Sequence, residues 1–231
     1  MDIIILAAGR NERLNGIVPP YHKPVLVING KPLISQLVES VAPLLKLYTT
    51  KDSAPRIIIV CAPQNAEAIC SVLPKIPEIL IVIQRECDGV LNALRIGLSV
   101  TTENVVTMVC ADNVIDRQTW YLPPFNPTDD DAYSSTLFVH GQYMSDFEAN
   151  KFTYISENIW YEKTPTTANM IFCWLGPIVF SKYTMEDAIT SFMRDNPNDT
   201  NSIGRVFNYY DSMTRIIESR NIDIGLPENL K

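Results

Sequence analysis

Four short, unbroken apolar runs punctuate the first half of the chain: "DIIILAA" from Asp2, "RIIIVCA" from Arg56, "EILIVIQ" from Glu78 and "NVVTMVCAD" from Asn104. Runs of this length, rich in β-branched residues and lacking polar alternation, read as strands buried on both faces of a parallel sheet. Between the first two, "KPLISQLVESVAPLLKLY" repeats Leu33, Leu37, Val38, Val41 and Leu45 at helical spacing. "NAEAICSVL" and "DGVLNALRIGLSV" supply shorter helices before the third and fourth strands, with Asp88 as the expected N-cap of the latter. Strand and helix alternating four times predict an α/β fold with right-handed crossovers. The predicted architecture is a Rossmann-like, mixed but mainly parallel sheet flanked by helices.

After residue 120 the pattern changes. "AYSSTLFVH", "KFTYIS", "NIWYEK" and "ANMIFCWLGPIVFS" predict mixed or antiparallel strands, with His140 ending the first. "YTMEDAITSFMRD" and "NSIGRVFNYYDSM" predict helices. The proline- and aspartate-rich "LPPFNPTDDD" reads as a loop, because the apolar pattern resumes at once. One domain over 1–231 is expected, with a nucleotide-binding half over about 1–120 and an acceptor-binding half over about 121–231.

Composition narrows the class. A chain of 231 residues, 46% hydrophobic and 19% charged, builds a core without disulfides. A formal charge of −7 argues against a nucleic-acid surface. The five cysteines form no CxxC pair, so a zinc site or a disulfide framework is not expected. The reading is a reduced, cytoplasmic chain. Its first apolar stretch, Ile3 to Ala8, is too short for a leader, and no run reaches membrane-spanning length.

In open α/β sheets, ligands collect at the carboxyl ends of the strands. Those ends carry Gly9 and Arg10, Cys61, Gln84, and Asp112 with Asn113. A glycine turn after the first strand presents backbone N–H groups to an anion, and Arg10 and Arg13 add permanent charge. There is no GxxxxGK[ST] loop and no GxGxxG fingerprint. With His22 and His140 as the only histidines, a Ser-His-Asp hydrolase is not expected.

The opening "LAAGRNERLNGIVPPYHKPVLVINGKPLI" resembles the signature LAAGxGTRLxPxTxxxPKPLLPVxGKPLI of sugar-1-phosphate nucleotidyltransferases. Gly9, Arg13, Lys23, Pro24, Gly30, Lys31 and Pro32 fall on its marked positions, and Lys23 keeps its ten-residue distance from Arg13. The resemblance implies that Leu6, Ala7, Ala8 and Gly9 line the nucleotide, that Arg13 forks onto the departing pyrophosphate, and that Lys23 faces the α-phosphate. Asn11, Glu12 and His22 depart from the pattern.

Three further motifs extend the likeness. In "QRECDGVLNALRIG", Gln84 and Gly89 keep the spacing of the family's base-reading pair and favour a pyrimidine over a purine. "VCADNVID" and "NIDIGLPENL" resemble the segments carrying the family's two metal carboxylates, which makes Asp112 and Asp223 the expected Mg²⁺ ligands. In isolation, Asp223 reads equally as a residue capping a helix before "PENL". "YEKTPTTANMIFCWLGPIVFS" resembles the acceptor segment, with Glu162 on sugar hydroxyls, Lys163 on the sugar's phosphate and Gly176 allowing close approach.

The resemblance implies a Mg²⁺-dependent enzyme joining an NTP to a sugar 1-phosphate with release of pyrophosphate, and leaves room for a homo-oligomer. Its partners are those two small molecules, with neither nucleic acid nor membrane. Two alternatives stay open. One is a cytidylyltransferase acting on a non-sugar phosphate such as phosphocholine; the other is a catalytically weak nucleotide-binding relative.

Overall fold

The computed structural model describes residues 1–10, 16–49, 54–121, 136–145, 151–166, 168–211 and 213–223, with Asp223 described through its backbone alone. Arg13, the loop predicted from Leu122 and the "PENL" segment lie outside the described residues.

The four apolar runs form the strands they predict: β1 (Asp2–Ala7), β4 (Ile57–Cys61), β5 (Ile79–Ile83) and β6 (Val105–Cys110). A two-stranded ribbon, β2 (Val27–Ile28) and β3 (Lys31–Pro32), precedes α1 (Leu33–Tyr48). Helices α2 (Ala66–Val72) and α3 (Val90–Val100) make the next crossovers. Strands β5, β4, β1 and β6 run parallel in that order, with Ala7 beside Cys61 and Leu6 beside Cys110.

Every residue of β1 is buried, because the sheet is covered on both faces. Ile4 and Leu6 join a core containing Leu91, Leu94 and Leu98 of α3. Ile3 and Ile5 belong to the opposite core with Leu37, Val38 and Val41 of α1. The unbroken apolar run thus splits by alternate residues between two cores.

The remaining strands extend the sheet on the β6 side. Here lie β8 (Thr136–Ser145), β9 (Thr153–Ser156), β10 (Ile159–Glu162), β11 (Met170–Ser181) and β12 (Met213–Glu218). Strand β11 lies antiparallel to β6, β8 and β9, and β12 lies parallel to β8 on the sheet's edge. Among the described residues the result is a nine-stranded, mixed sheet. Helix α4 (Lys182–Asp195) covers one face through Met185, Ile189 and Phe192.

Three local expectations change. "NSIGRVFNYYDSM" forms only α5 (Ile203–Val206) and a 3₁₀ turn, Phe207–Tyr209. There, Asn208 accepts the Trp160 N–H at 2.8 Å and donates to the Trp160 carbonyl at 2.9 Å, holding the segment against β10. His140 sits inside β8, fully buried, rather than at a strand end. Strand β12 was not foreshadowed by the pattern.

At the opposite end of the sheet from the ligand-collecting turns, Asp2 is fully buried. Its carboxylate accepts the Arg56 N–H at 2.8 Å and the Thr102 N–H at 2.9 Å. Asp2→Ala strands both donors, so unfolding by denaturant is expected to show a loss of about 2–4 kcal/mol. A loss below ~0.5 kcal/mol would contradict this role.

Candidate active site

The segment after β1 is tied back to the sheet by Asn65, a buried residue ahead of α2. Its amide donates to the Ala7 carbonyl at 2.8 Å and the Tyr21 carbonyl at 3.0 Å, while its oxygen accepts the Ala62 N–H at 3.0 Å. One side chain therefore joins the ends of β1 and β4 to Tyr21. Leu6, Ala7 and Ala8 are buried at this junction, whereas Gly9 and Arg10 are exposed. Arg10 donates to the Cys87 carbonyl at 3.3 Å, which brings the turn after β5 to the same place.

Lys23 opens a 3₁₀ turn, Lys23–Val25, and is only 7% exposed. Its ammonium is paired with the Asp112 carboxylate, which sits just past β6 and keeps 23% of its side chain exposed. A buried ammonium requires such a partner, since an unpaired one would lose its hydration without replacement. Lys23 and Asp112 are 89 residues apart in sequence and meet at the carboxyl end of the sheet.

The next residues form β7 (Asn113–Val114), which pairs antiparallel with β13 (Ile222–Asp223), setting Asp223 opposite Asn113. Asn221 anchors this return. Its side-chain oxygen accepts the Asp116 N–H and the Thr119 hydroxyl, both at 3.0 Å, and its amide donates to Ser219 at 2.8 Å. Gly176 is required here for close approach, because a Cβ on it would lie 2.4 Å from the Asn221 amide nitrogen. Its side-chain direction thus faces Asn221.

At the end of β5, Gln84 donates to Asp88 at 2.8 Å and to the Gly89 carbonyl at 3.0 Å. Gly89, not Asp88, occupies the N-cap position of α3, with φ +120°. A Cβ there would lie 2.3 Å from the Thr200 carbonyl oxygen, so both conformation and packing demand glycine. The side chain of Asp88 turns instead to Gln84 and to Asn92, at 2.8 Å each.

In the second half of the chain, Glu162 ends β10 and accepts the Thr153 hydroxyl and the Gly204 N–H, each at 3.0 Å. Lys163, with φ +48° and half its side chain exposed, pairs with Glu162 at 3.4 Å. These groups fasten β9, β10 and α5 together. The thiol of Cys61 is pushed up to about 11, first by burial and then by Cys70. The Tyr21 phenol is also raised, by desolvation first and by the neighbouring Cys87 next, with Arg10 opposing.

The sequence reading therefore finds Lys23, Asp112, Gln84, Gly89 and the β1 end assembled at the strand termini, with the Asp223 backbone beside Asn113. Asn65, Asp88 and Asn221 were missed as positioning groups. Asn65 and Asp88 carried only the generic signal of a residue at a helix start.

A family model of the MobA-like NTP transferase domain matches residues 3–120, about half of the chain. The chain belongs to this family of nucleotidyltransferases. The matched stretch of the NTP transferase domain includes Lys23, Gln84, Gly89 and Asp112. No curated protein sequence matches the chain.

Solved structures share the fold at low identity. A Bacillus anthracis protein assigned as a glucose-1-phosphate thymidylyltransferase, in complex with sucrose, aligns with a TM-score of 0.74 at 16% identity, over 100% of this chain and 92% of its own. HddC from Yersinia pseudotuberculosis, complexed with GMP-PN, gives 0.67 at 19% identity over 99% and 95%. The inositol-1-phosphate CTP transferase from T. maritima gives 0.69 at 16% over 100% and 91%. Among the described residues of the NTP transferase domain, no helix is long and apolar enough to cross a membrane.

Because Asn65 alone ties Ala7, Ala62 and Tyr21, Asn65→Ala is expected to cost about 1–3 kcal/mol and to weaken NTP binding together with stability. Parallel denaturation and calorimetric titration check this. Unchanged nucleotide affinity in the folded variant would show that the tie does not serve the site.

Proposed function

We propose that the chain transfers a nucleotidyl group from an NTP to a sugar 1-phosphate, releasing pyrophosphate. The observation that carries the reading is the Lys23–Asp112 pair at the carboxyl ends of β1 and β6, within the matched domain. In a nucleotidyltransferase, a lysine and a carboxylate at such a site serve the triphosphate, one by direct charge and one by holding a cation. The acceptors named for two of the structural neighbours, glucose 1-phosphate and inositol 1-phosphate, support a phosphorylated polyol as acceptor.

The donor set suits magnesium. Asp112 presents carboxylate oxygens with partial exposure, and the β7–β13 register supports Asp223 as a second such ligand. Mg²⁺ takes one or two carboxylates and completes its shell with phosphate oxygens and water. Bound there, it would offset the charge on the triphosphate.

The chain's own groups account for the rest. Lys23 exchanges Asp112 for a phosphate oxygen at the α-phosphate, freeing the carboxylate for its cation. Arg13, from the same connection, holds the pyrophosphate. Gln84 and Gly89 meet the base. Lys163 draws the acceptor's phosphate, and Glu162 keeps β10 and α5 in place while accepting a sugar hydroxyl on its remaining lone pairs. An acceptor phosphate oxygen forms a bond to the α-phosphorus as the α–β bridging bond breaks, and the electron pair leaves with pyrophosphate. No covalent enzyme intermediate and no general base are needed, so positioning and fixed charge supply the acceleration.

Pyrophosphate release measured across the common NTPs and a panel of sugar 1-phosphates with Mg²⁺ tests this. One NTP and acceptor pair is expected to turn over, with Lys23→Met and Asp112→Ala each lowering kcat by about 10²–10³. Nucleotide binding without acceptor-dependent release would favour the catalytically weak relative. Turnover confined to CTP and phosphocholine would favour the cytidylyltransferase alternative.

A further inference from the structure

Helix α3 begins without a side chain to cap it, because its N-cap position is Gly89. An N-cap side chain ordinarily accepts the N–H at the second or third helical position. Here the Leu91 N–H, at the second position, is accepted by the Thr200 carbonyl at 3.0 Å. Thr200 also fills the space a Gly89 side chain would need, with its carbonyl oxygen, Oγ1 and Cβ at 2.3, 2.5 and 2.7 Å from that position. A loop from the second half of the chain, residues 196–202 between α4 and α5, therefore stands in for the missing cap.

Holding an irregular loop in one conformation costs chain entropy, so something must fix it. Asp199 Oδ1 accepts the Asn201 N–H at 3.2 Å and the Ser202 N–H at 3.0 Å, closing a tight turn around Thr200. Asp199 Oδ2 accepts from the Arg205 guanidinium at 2.9 Å. The guanidinium also donates to the Asn196 side-chain oxygen at 3.0 Å and stands 5.4 Å from the centre of the Phe192 ring. Asn196 in turn gives its N–H and its amide to the Phe192 carbonyl, at 2.8 and 3.1 Å, where α4 ends. One side chain of α5 thus gathers both ends of the loop that carries Thr200.

We propose that the Asp199–Arg205 pair is a latch for nucleotide binding: by fixing residues 196–202 it holds the Thr200 carbonyl over the start of α3, and so keeps the turn between β5 and α3 in its binding shape before the nucleotide arrives. The inference rests on the reading that Gln84 and Gly89 meet the base. Asp199 and Arg205 act through Thr200 and are positioning residues. A site whose binding-competent shape is only partly populated binds more weakly by that fraction. Opening the latch lowers the fraction at the base end and leaves the phosphate end, at Lys23, unchanged. About half of the Arg205 side chain is exposed, so the effect is moderate.

Calorimetric titration of the full chain with each common NTP and with inorganic tripolyphosphate, in Mg²⁺ and without acceptor, tests the proposal. Tripolyphosphate carries the phosphates without a base and reads the phosphate end alone. Arg205→Ala is expected to weaken the tightest-binding NTP about fivefold and tripolyphosphate less than about 1.5-fold. Asp199→Ala is expected to match it, and the double variant to lose no more than either, since one latch is lost once. Asp199→Asn still accepts the Asn201 and Ser202 N–H groups and is expected to fall between, at about two- to threefold. It carries the same comparison should an alanine variant fail to fold by circular dichroism.

Unchanged NTP affinity in folded variants would overturn the proposal. Equal weakening of NTP and tripolyphosphate would overturn it too, because that is the mark of a general loosening. A parent chain that binds NTP no tighter than tripolyphosphate would remove the reading of Gln84 and Gly89, and the latch with it. Failure of both ligands to bind would remove the nucleotide site as a whole.

Discussion

The ion pair between Lys23 and Asp112 is the constraint on which the site depends. A lysine this deeply buried needs a compensating charge, and Asp112, in the turn just beyond β6, supplies it. Satisfying that requirement pins the connection leaving β1 against the end of a neighbouring strand. Asn65 secures the same connection from the β4 side, so its returning end is held at two points. In the proposed reaction the pair holds in reserve the two charges that a triphosphate would engage, each occupied by the other until then.

The second half of the chain closes the site through backbone pairing. Strand β13 returns from the far edge of the sheet to lie beside β7, and Asn221 fixes that return to the Asp116–Thr119 turn. Thr200 packs over Gly89 and accepts the Leu91 N–H, so the second half of the chain also presses on the turn between β5 and α3. The two halves of the chain thus share polar contacts at the strand ends.

The nucleotide half was largely legible in the sequence because its strands are buried on both faces and its polar residues cluster at their ends. Periodicity alone predicts α1, and the resemblance of the opening segment singles out Lys23, which the structure places in a 3₁₀ turn beside Asp112. Strand β12 escaped because it is an edge strand with most of its residues exposed and no apolar run to mark it. Asn65, Asn208 and Asn221 escaped for another reason: each acts on backbone groups far away in sequence, and nothing local distinguishes them from turn asparagines. Asp88 occupies the expected helix start but spends its carboxylate on Gln84 and Asn92 instead of the helix N–H groups. The motif around Glu162 points to sugar hydroxyls, and nothing in it marks the residue as the group that holds Thr153 and α5.

The account turns on Lys23 changing partners. A crystal structure of the chain with a non-hydrolysable NTP analogue and Mg²⁺ measures this directly. The Lys23 ammonium is predicted to leave Asp112 and stand within hydrogen-bonding distance of a phosphate oxygen, with Asp112 turned to the metal. Phosphates bound elsewhere while Lys23 remains paired with Asp112 would contradict the account.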